Sequence, residues 1–182
     1  MEELKVAVIY GSNRAGRMCD TVGTWAVGEI SLPPDVSVDV IDPKELDLPN
    51  DGAVLKQRIE RADAFVVVVP EYNHSYPAAL KMLIDSAHRE WQAKPVGFVS
   101  YGGISGGLRA VEHLRGVFAE LHAVTLRDSV SFANVWAQFG PDGAMLQPHA
   151  AKTMKVMLRR LRWWAEALRR ARLEVPYTEE AA

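Results

Sequence analysis

The 182-residue chain carries 21 Lys and Arg against 23 Asp and Glu, a formal net charge of −2, with 48% apolar and 24% charged residues. That composition suits a globular domain with one hydrophobic core and excludes extended disorder. Cys19 is the only cysteine, which excludes an intramolecular disulfide and a Cys-rich zinc centre, so no metal site is expected. No run approaches the roughly 20 apolar residues of a membrane-spanning helix, and Met1 to Lys5 lacks the basic stretch of a signal peptide. A cytoplasmic protein of one domain over 1–175 is expected, with 176–182 as a frayed tail.

Residues 4–10 form a short β-branched run that stops at Gly11, as a buried parallel strand does. Val22, Trp25, Ala26 and Ile30 then recur at helical spacing from about Thr21, and Pro33 and Pro34 end the element. Val36, Val38 and Val40 alternate with polar residues in a half-buried second strand that closes near Asp42 and Pro43. Asp51 is positioned to cap a helix over 53–62, with a stripe at Val54, Leu55, Ile59 and Ala62. The third strand, 64–69, is apolar on both faces and ends at Pro70, so it belongs at the centre of a sheet.

A loop follows, then a helix predicted over 78–90, a fourth strand over 95–101 and a glycine-rich loop over 102–107. An amphipathic helix over 108–122 and a fifth strand over 124–130 come next, and 131–146 shows no periodicity. The last helix, 148–172, has a stripe at Met154, Leu158, Leu161, Ala165 and Leu168. Residues 150–172 hold eight Lys or Arg against Glu166 alone, leaving 13 basic and 22 acidic residues elsewhere. That face reads as solvated or as a subunit contact, not as a surface for nucleic acid or membrane.

Five alternations of strand and helix define an α/β protein with a doubly wound parallel sheet and helices on both faces. The expected strand order is 2-1-3-4-5, the flavodoxin-like order, in which the loops after strands 1 and 3 open a ligand crevice. Three loops reach that edge. Gly11 to Arg17 leads into a helix, so its N–H groups and the helix dipole attract an anion; Ser12 adds a hydroxyl, and Arg14 or Arg17 can bridge phosphate oxygens. This makes a monophosphate cradle, without the spacing of a dinucleotide fold or a P-loop. Pro70 to Pro77 is stiffened by two prolines and offers Tyr72, His74 and Tyr76 to frame a planar ring. His74 is a candidate proton donor, although a lone loop histidine is more often a surface residue. Glu71, with no metal partner in view, suits an ion pair between subunits.

The third loop, Ser100 to Gly107, permits close backbone approach because its glycines lack side chains. Gly103 to Gly107 also matches the G-x-S-x-G pattern of a serine hydrolase, with Ser105 as nucleophile and Asp128 or Asp142 and His149 downstream. No His-Gly-Gly-Gly oxyanion stretch precedes it, and a glycine-rich string satisfies that pattern easily.

Three of these pieces together resemble the NADPH-dependent FMN reductase family, whose relatives include quinone, azo-dye and chromate reductases. Gly11-Ser12-Asn13-Arg14 is similar to its phosphate loop, Pro70-Glu71-Tyr72-Asn73 to its flavin loop, and Ser100 to Gly107 to its glycine-rich loop. The likeness covers about 4–130 and includes Asp47, Leu48 and Pro49 after strand 2. Where many relatives have Ser and Asn, this chain has Gly16, Arg17, Met18 and Cys19; Arg17 stands in for a hydroxyl contact.

The resemblance implies bound FMN contacted by Ser12, Arg14, Arg17, Met18, Pro70, Glu71, Tyr72, Asn73, Ser100, Tyr101, Gly102 and Gly103. Backbone N–H groups of Gly102 and Gly103 would face the N1/C2 edge of the ring. It further implies NADPH as co-substrate and a ping-pong hydride transfer to a quinone, azo dye, free flavin or metal oxyanion, with no dedicated acid or base. A homodimer or homotetramer using helix 78–90 is implied as well. The competing reading of the same fold is a flavodoxin-type electron carrier, which would more naturally have a Ser/Thr-rich phosphate loop and a strongly acidic surface.

Overall fold

The computed structural model describes residues 3–146 and 148–177. Its strands are β1 (Leu4–Tyr10), β2 (Val36–Ile41), β3 (Ala64–Pro70), β4 (Pro95–Tyr101) and β5 (Val124–Phe132), and its helices α1 (Cys19–Ile30), α2 (Leu48–Arg61), α3 (Ala78–Asp85), α4 (Leu108–Glu120) and α5 (His149–Glu174). Short 3₁₀ turns lie at Arg89–Trp91 and Val135–Ala137. All four strand pairings are parallel, and the order is β2-β1-β3-β4-β5, as expected. Of the expected tail 176–182, residues 178–182 lie outside the described residues, while the Tyr177 hydroxyl meets His122 Nδ1 at 2.6 Å.

β3 and β4 are buried along their whole length because helices cover both sides of them. One face packs Val8, Val66, Val68 and Val99 against α1 and α5. The other packs Ile9, Phe65, Val67 and Phe98 against α2, α3, α4 and Trp91. On that second face Trp91 sits 4.7 Å from Phe65 and 5.5 Å from Phe118, ring centre to ring centre. α5 buries Met154, Met157, Leu161 and Ala165; Met157 takes the central place that the sequence stripe assigns to Leu158, which packs at the margin.

The larger departures from the expected boundaries each have a local reason. α1 begins at Cys19, two residues early, with the Met18 carbonyl accepting the Val22 N–H at 3.0 Å. Asp47, not Asp51, flanks the start of α2, and Asp51 reaches back to accept the Asp47 N–H at 2.8 Å. α3 stops at Asp85, short of residue 90, because the buried Trp91 indole N–H takes the Ile84 carbonyl at 3.1 Å and Ser86 Oγ takes the Met82 carbonyl at 2.7 Å. β5 runs on to Phe132 because its ladder with β4 continues through Ser100–Ser131 and Tyr101–Phe132. Among the described residues no helix is long and apolar enough to cross a membrane.

Candidate functional site

The site lies where β1, β3 and β4 end. Gly11 leaves β1 so close to β3 that a Cβ there would stand 2.8 Å from the Val68 carbonyl oxygen, whose hydrogen bond the Gly11 N–H makes at 2.8 Å. The chain then opens into the first loop. Among the described residues, the N–H groups of Asn13, Ala15, Gly16, Arg17 and Met18 meet no acceptor, and they precede the N-terminus of α1. A row of free donors at a helix start is the arrangement that binds an anion. Buried Ser12 stands beside them, its Oγ 2.8 Å from the Tyr72 hydroxyl and accepting the Arg14 N–H at 3.4 Å. The exposed Arg14 guanidinium lies over the Tyr72 ring, 4.1 Å from its centre, and keeps its hydrogen-bond donors free.

Arg17 does something else. Its Nε–H and one Nη–H go to Asp20 Oδ1 at 2.8 and 2.6 Å, another goes to Asp42 Oδ1 at 2.8 Å, and the last two go to Asp42 Oδ2 and the Ser12 carbonyl. A guanidinium has five N–H donors, and all are used. The Arg17 side chain is 2% exposed and that of Asp42 8%. The expectation that Arg17 holds phosphate is therefore corrected: it braces the loop from beneath, tying Ser12 to the end of β2. The Asp42 hydrogen bond raises the Arg17 pKa. Burial alone would raise the Asp42 carboxyl, but the Arg17 and Lys44 N–H groups outweigh it and hold the carboxyl below its ordinary value. Met18 flanks α1 and packs against the core.

The second loop is pinned at both ends. Tyr72 and Ser75 exchange backbone hydrogen bonds at 2.8 and 3.0 Å, with Asn73 and His74 between them at φ 49° and 69°, the two-residue turn that matches strand twist. Ser75 Oγ meets His113 Nδ1 of α4 at 3.0 Å. His74 is exposed at the tip, and among the described residues no group accepts from or donates to its ring. Glu71 pairs within the chain, with Arg109 Nε at 2.6 Å and the Arg109 N–H at 3.2 Å, which replaces the ion pair between subunits. Burial pushes the Glu71 carboxyl up, but hydrogen bonds from Ser105 and Arg109 hold it below its ordinary value.

In the third loop, Ser100 Oγ and Ser131 Oγ both donate to the Gly106 carbonyl at 2.8 Å. Gly107 has φ 85°, and a Cβ there would stand 2.7 Å from the Tyr101 nitrogen. The Tyr101 side chain is buried in the core on the α1 and α5 face, its hydroxyl beside Cys19 and its pKa raised, chiefly by burial; it offers no phenol to the crevice. The Gly102 N–H is spent on the Phe132 carbonyl at 3.2 Å, so of the two glycine donors expected at the ring edge only that of Gly103 lacks an acceptor among the described residues. Ser105 hydrogen-bonds Glu71 and accepts the Gly107 N–H at 3.4 Å; it has no imidazole partner among the described residues, as a hydrolase nucleophile would need.

The three loops thus meet in one crevice. Ser12 joins the first to the second through Tyr72, and the Glu71 N–H joins the second to the third through the Tyr101 carbonyl at 3.0 Å. Arg14, Tyr72, Asn73 and Gly103 remain available there, while Ser12, Ser100 and Pro70 are buried supports. Sequence reasoning did not find Asp42, Arg109 or the segment at 133–137. Its Asn134 and Val135 N–H groups bond the Gly103 and Gly102 carbonyls at 2.8 and 3.1 Å, and Trp136 on this segment is exposed, as are Ile104 and Leu108. Among the described residues no group of His, Cys, Asp and Glu is placed to hold a metal ion.

Sheet order and crevice define a flavodoxin-like protein whose first loop presents unpaired N–H groups, among the described residues, at the topological switch point. The profile of the family described as NADPH-dependent FMN reductase matches residues 4–137. The chain is 40% identical over 121 residues to an NAD(P)H-dependent FMN reductase of Schizosaccharomyces pombe, covering 57% of this chain and 60% of that protein. It is 32% identical to a probable NADPH:quinone oxidoreductase of Oryza sativa, covering 85% and 88%. The flavoenzyme NAD(P)H:(acceptor) oxidoreductase FerB of Paracoccus denitrificans shares its fold, with TM-score 0.67 at 24% identity over 90% and 98% of the two chains. The chain belongs to the NADPH-dependent FMN reductase family and is an oxidoreductase of that family.

Proposed function

We propose that the protein holds FMN in this crevice and passes two electrons from NADPH to a small planar acceptor such as a quinone, azo dye or free flavin, with donor and acceptor using the site in turn. The observation that carries the reading is the row of free N–H groups from Asn13 to Met18 beside Ser12. These fit a phosphomonoester, and exposed Arg14 adds charge over the same place. Tyr72, the Asn73–His74 turn and the Gly103 N–H fit the ring end. Bound there, FMN supplies the hydride chemistry, which asks of the protein placement and electrostatics more than an acid or base.

The chain's own contribution is then rigidity. Arg17 fixes the Ser12 carbonyl, Glu71 and Arg109 fix the second loop on α4, and Ser100 with Ser131 fixes the third. The Gly103 N–H, fixed in direction by the Val135 N–H bond at 3.1 Å to the Gly102 carbonyl of the same peptide unit, is aimed without reorganisation cost. A homodimer or homotetramer remains part of this reading, but α3 turns Leu80, Leu83 and Ile84 into its own core and exposes Met82 as its large apolar side chain. The test is to purify the protein, record its flavin absorption, and add NADPH without oxygen. Bleaching, with reoxidation by a quinone, is the expected result; a bound flavin that stays oxidised would leave an electron carrier, and no flavin binding at all would end the proposal.

A further inference from the structure

At the edge of the sheet opposite the crevice, the start of β1, the end of α1 and the turn into β2 leave a cleft of about 520 Å³ against α5. That size lies within the range of ligand pockets, roughly 300 to 1,000 Å³. Its floor is apolar, formed by Leu4, Val6, Ile30, Val36, Leu158 and Leu161, and Leu32 stands 66% exposed at the lip. A concave apolar surface of this kind, left open to water, marks a place where something packs.

The wall contributed by α5 is cationic. Lys152, Lys155, Arg159 and Arg162 line the cleft, spaced so that they share one side of the helix. Arg162 is committed to Asp35 at 2.8 and 3.0 Å and to Glu166 at 3.6 Å. Lys152, Lys155 and Arg159 have no ion-pair or hydrogen-bond partner among the described residues, and Glu29 is the one acid lining the cleft. An apolar floor beside three unengaged cations is complementary to a molecule with a hydrocarbon body and an anionic end. The floor is recessed between helices, which suits one chain entering a cleft; a bilayer would require the apolar face to protrude.

We infer that this cleft binds a single-chain aliphatic carboxylate, its chain on the floor between β1, β2 and α5 and its carboxylate against Lys155 and Arg159. The site is separate from the flavin crevice and does not depend on the function proposed for it. The test is calorimetric titration of the purified protein with sodium decanoate and sodium dodecanoate below their micelle concentrations, with dodecyltrimethylammonium as the cation of equal chain length. Binding at one site per chain is expected, about tenfold tighter for each added pair of methylenes, with no binding of the cation.

The doubly substituted Lys155→Glu/Arg159→Glu protein changes exposed residues only and should keep its unfolding midpoint while losing at least tenfold in dodecanoate affinity. A second variant, Leu32→Asp, should lose affinity as well, through the lip. Equal binding of the cation, no saturable binding, or unchanged affinity in both variants would overturn the inference. So would a fall in oligomeric mass on charge reversal, which would identify a second copy as the occupant, or tighter binding to phosphatidylglycerol vesicles than to dodecanoate.

Discussion

Replacing Arg17 with Met separates a brace from a phosphate ligand. The side chain is 2% exposed and its main partner Asp42 8%, so the substitution leaves a buried carboxylate with the Lys44 N–H at 2.8 Å as its remaining strong contact. Breaking a buried ion pair from one side costs about 3 to 5 kcal/mol. For a chain of this size that is a fall of roughly 6 to 20 °C in unfolding midpoint. The measurement is urea and thermal unfolding of the FMN-free protein, with FMN affinity taken separately from flavin fluorescence quenching. We expect the FMN-free protein to lose about 3 kcal/mol or more, Asp42→Ala to lose a similar amount, and the double variant to lose less than their sum. An unchanged midpoint in FMN-free Arg17→Met, together with a large loss of FMN affinity, would refute the reasoning and return Arg17 to the phosphate.

The buried pair also sets an acid limit: with its pKa lowered, Asp42 contributes fully above its unfolded value of about 4, and that contribution is lost as pH falls further. Lys94 works in the other direction. Its ammonium is buried against the Ile59 and Glu60 carbonyls at 2.9 and 2.8 Å, and burial pushes its pKa down to about 8. The unfolded chain then holds more protons between pH 8 and about 10.4, so stability should rise across that window by about 3 kcal/mol. Urea unfolding at pH 7.5 and 10 should show this rise reduced in Lys94→Met, and equal pH slopes in the two proteins would count against it. Gly107→Ala should destabilise by about 3 kcal/mol, since it puts a Cβ 2.7 Å from the Tyr101 nitrogen at φ 85°; an unchanged unfolding midpoint would show that the loop can shift. Ser105→Ala should leave NADPH oxidation within about twofold, because the hydroxyl supports Glu71 and Gly107 and is given no chemical role; loss of all turnover would put the flavin mechanism in doubt.

Strands β1, β3 and β4 were legible to the residue or nearly so, because each is an apolar run cut off by Gly or Pro. Alternation and handedness left few sheet orders, and the observed one is the common order among them. Elements whose ends depend on distant partners were not legible: α3 ends where Trp91 takes a carbonyl from it, and nothing near residue 85 announces that. Ser12, Arg14 and Tyr72 come together at one edge because loop residues after parallel strands converge by topology. Arg17 was misassigned because an arginine in an anion-seeking loop looks the same in sequence whether it points out or in. Its direction is decided by Asp42, 25 residues later, at the end of another strand. Tyr101 failed similarly: strand alternation carries its ring to the core face although its backbone reaches the crevice.

The hairpin tip at Asn73 and His74 has a consequence for how this protein can change. Two consecutive non-glycine residues sit there in the left-handed region, at a backbone cost of about 1 to 3 kcal/mol each when the side chain is not suited to it. Glycine at position 74 would relieve that tension and toughen the chain, yet would also give the tip new freedom of movement.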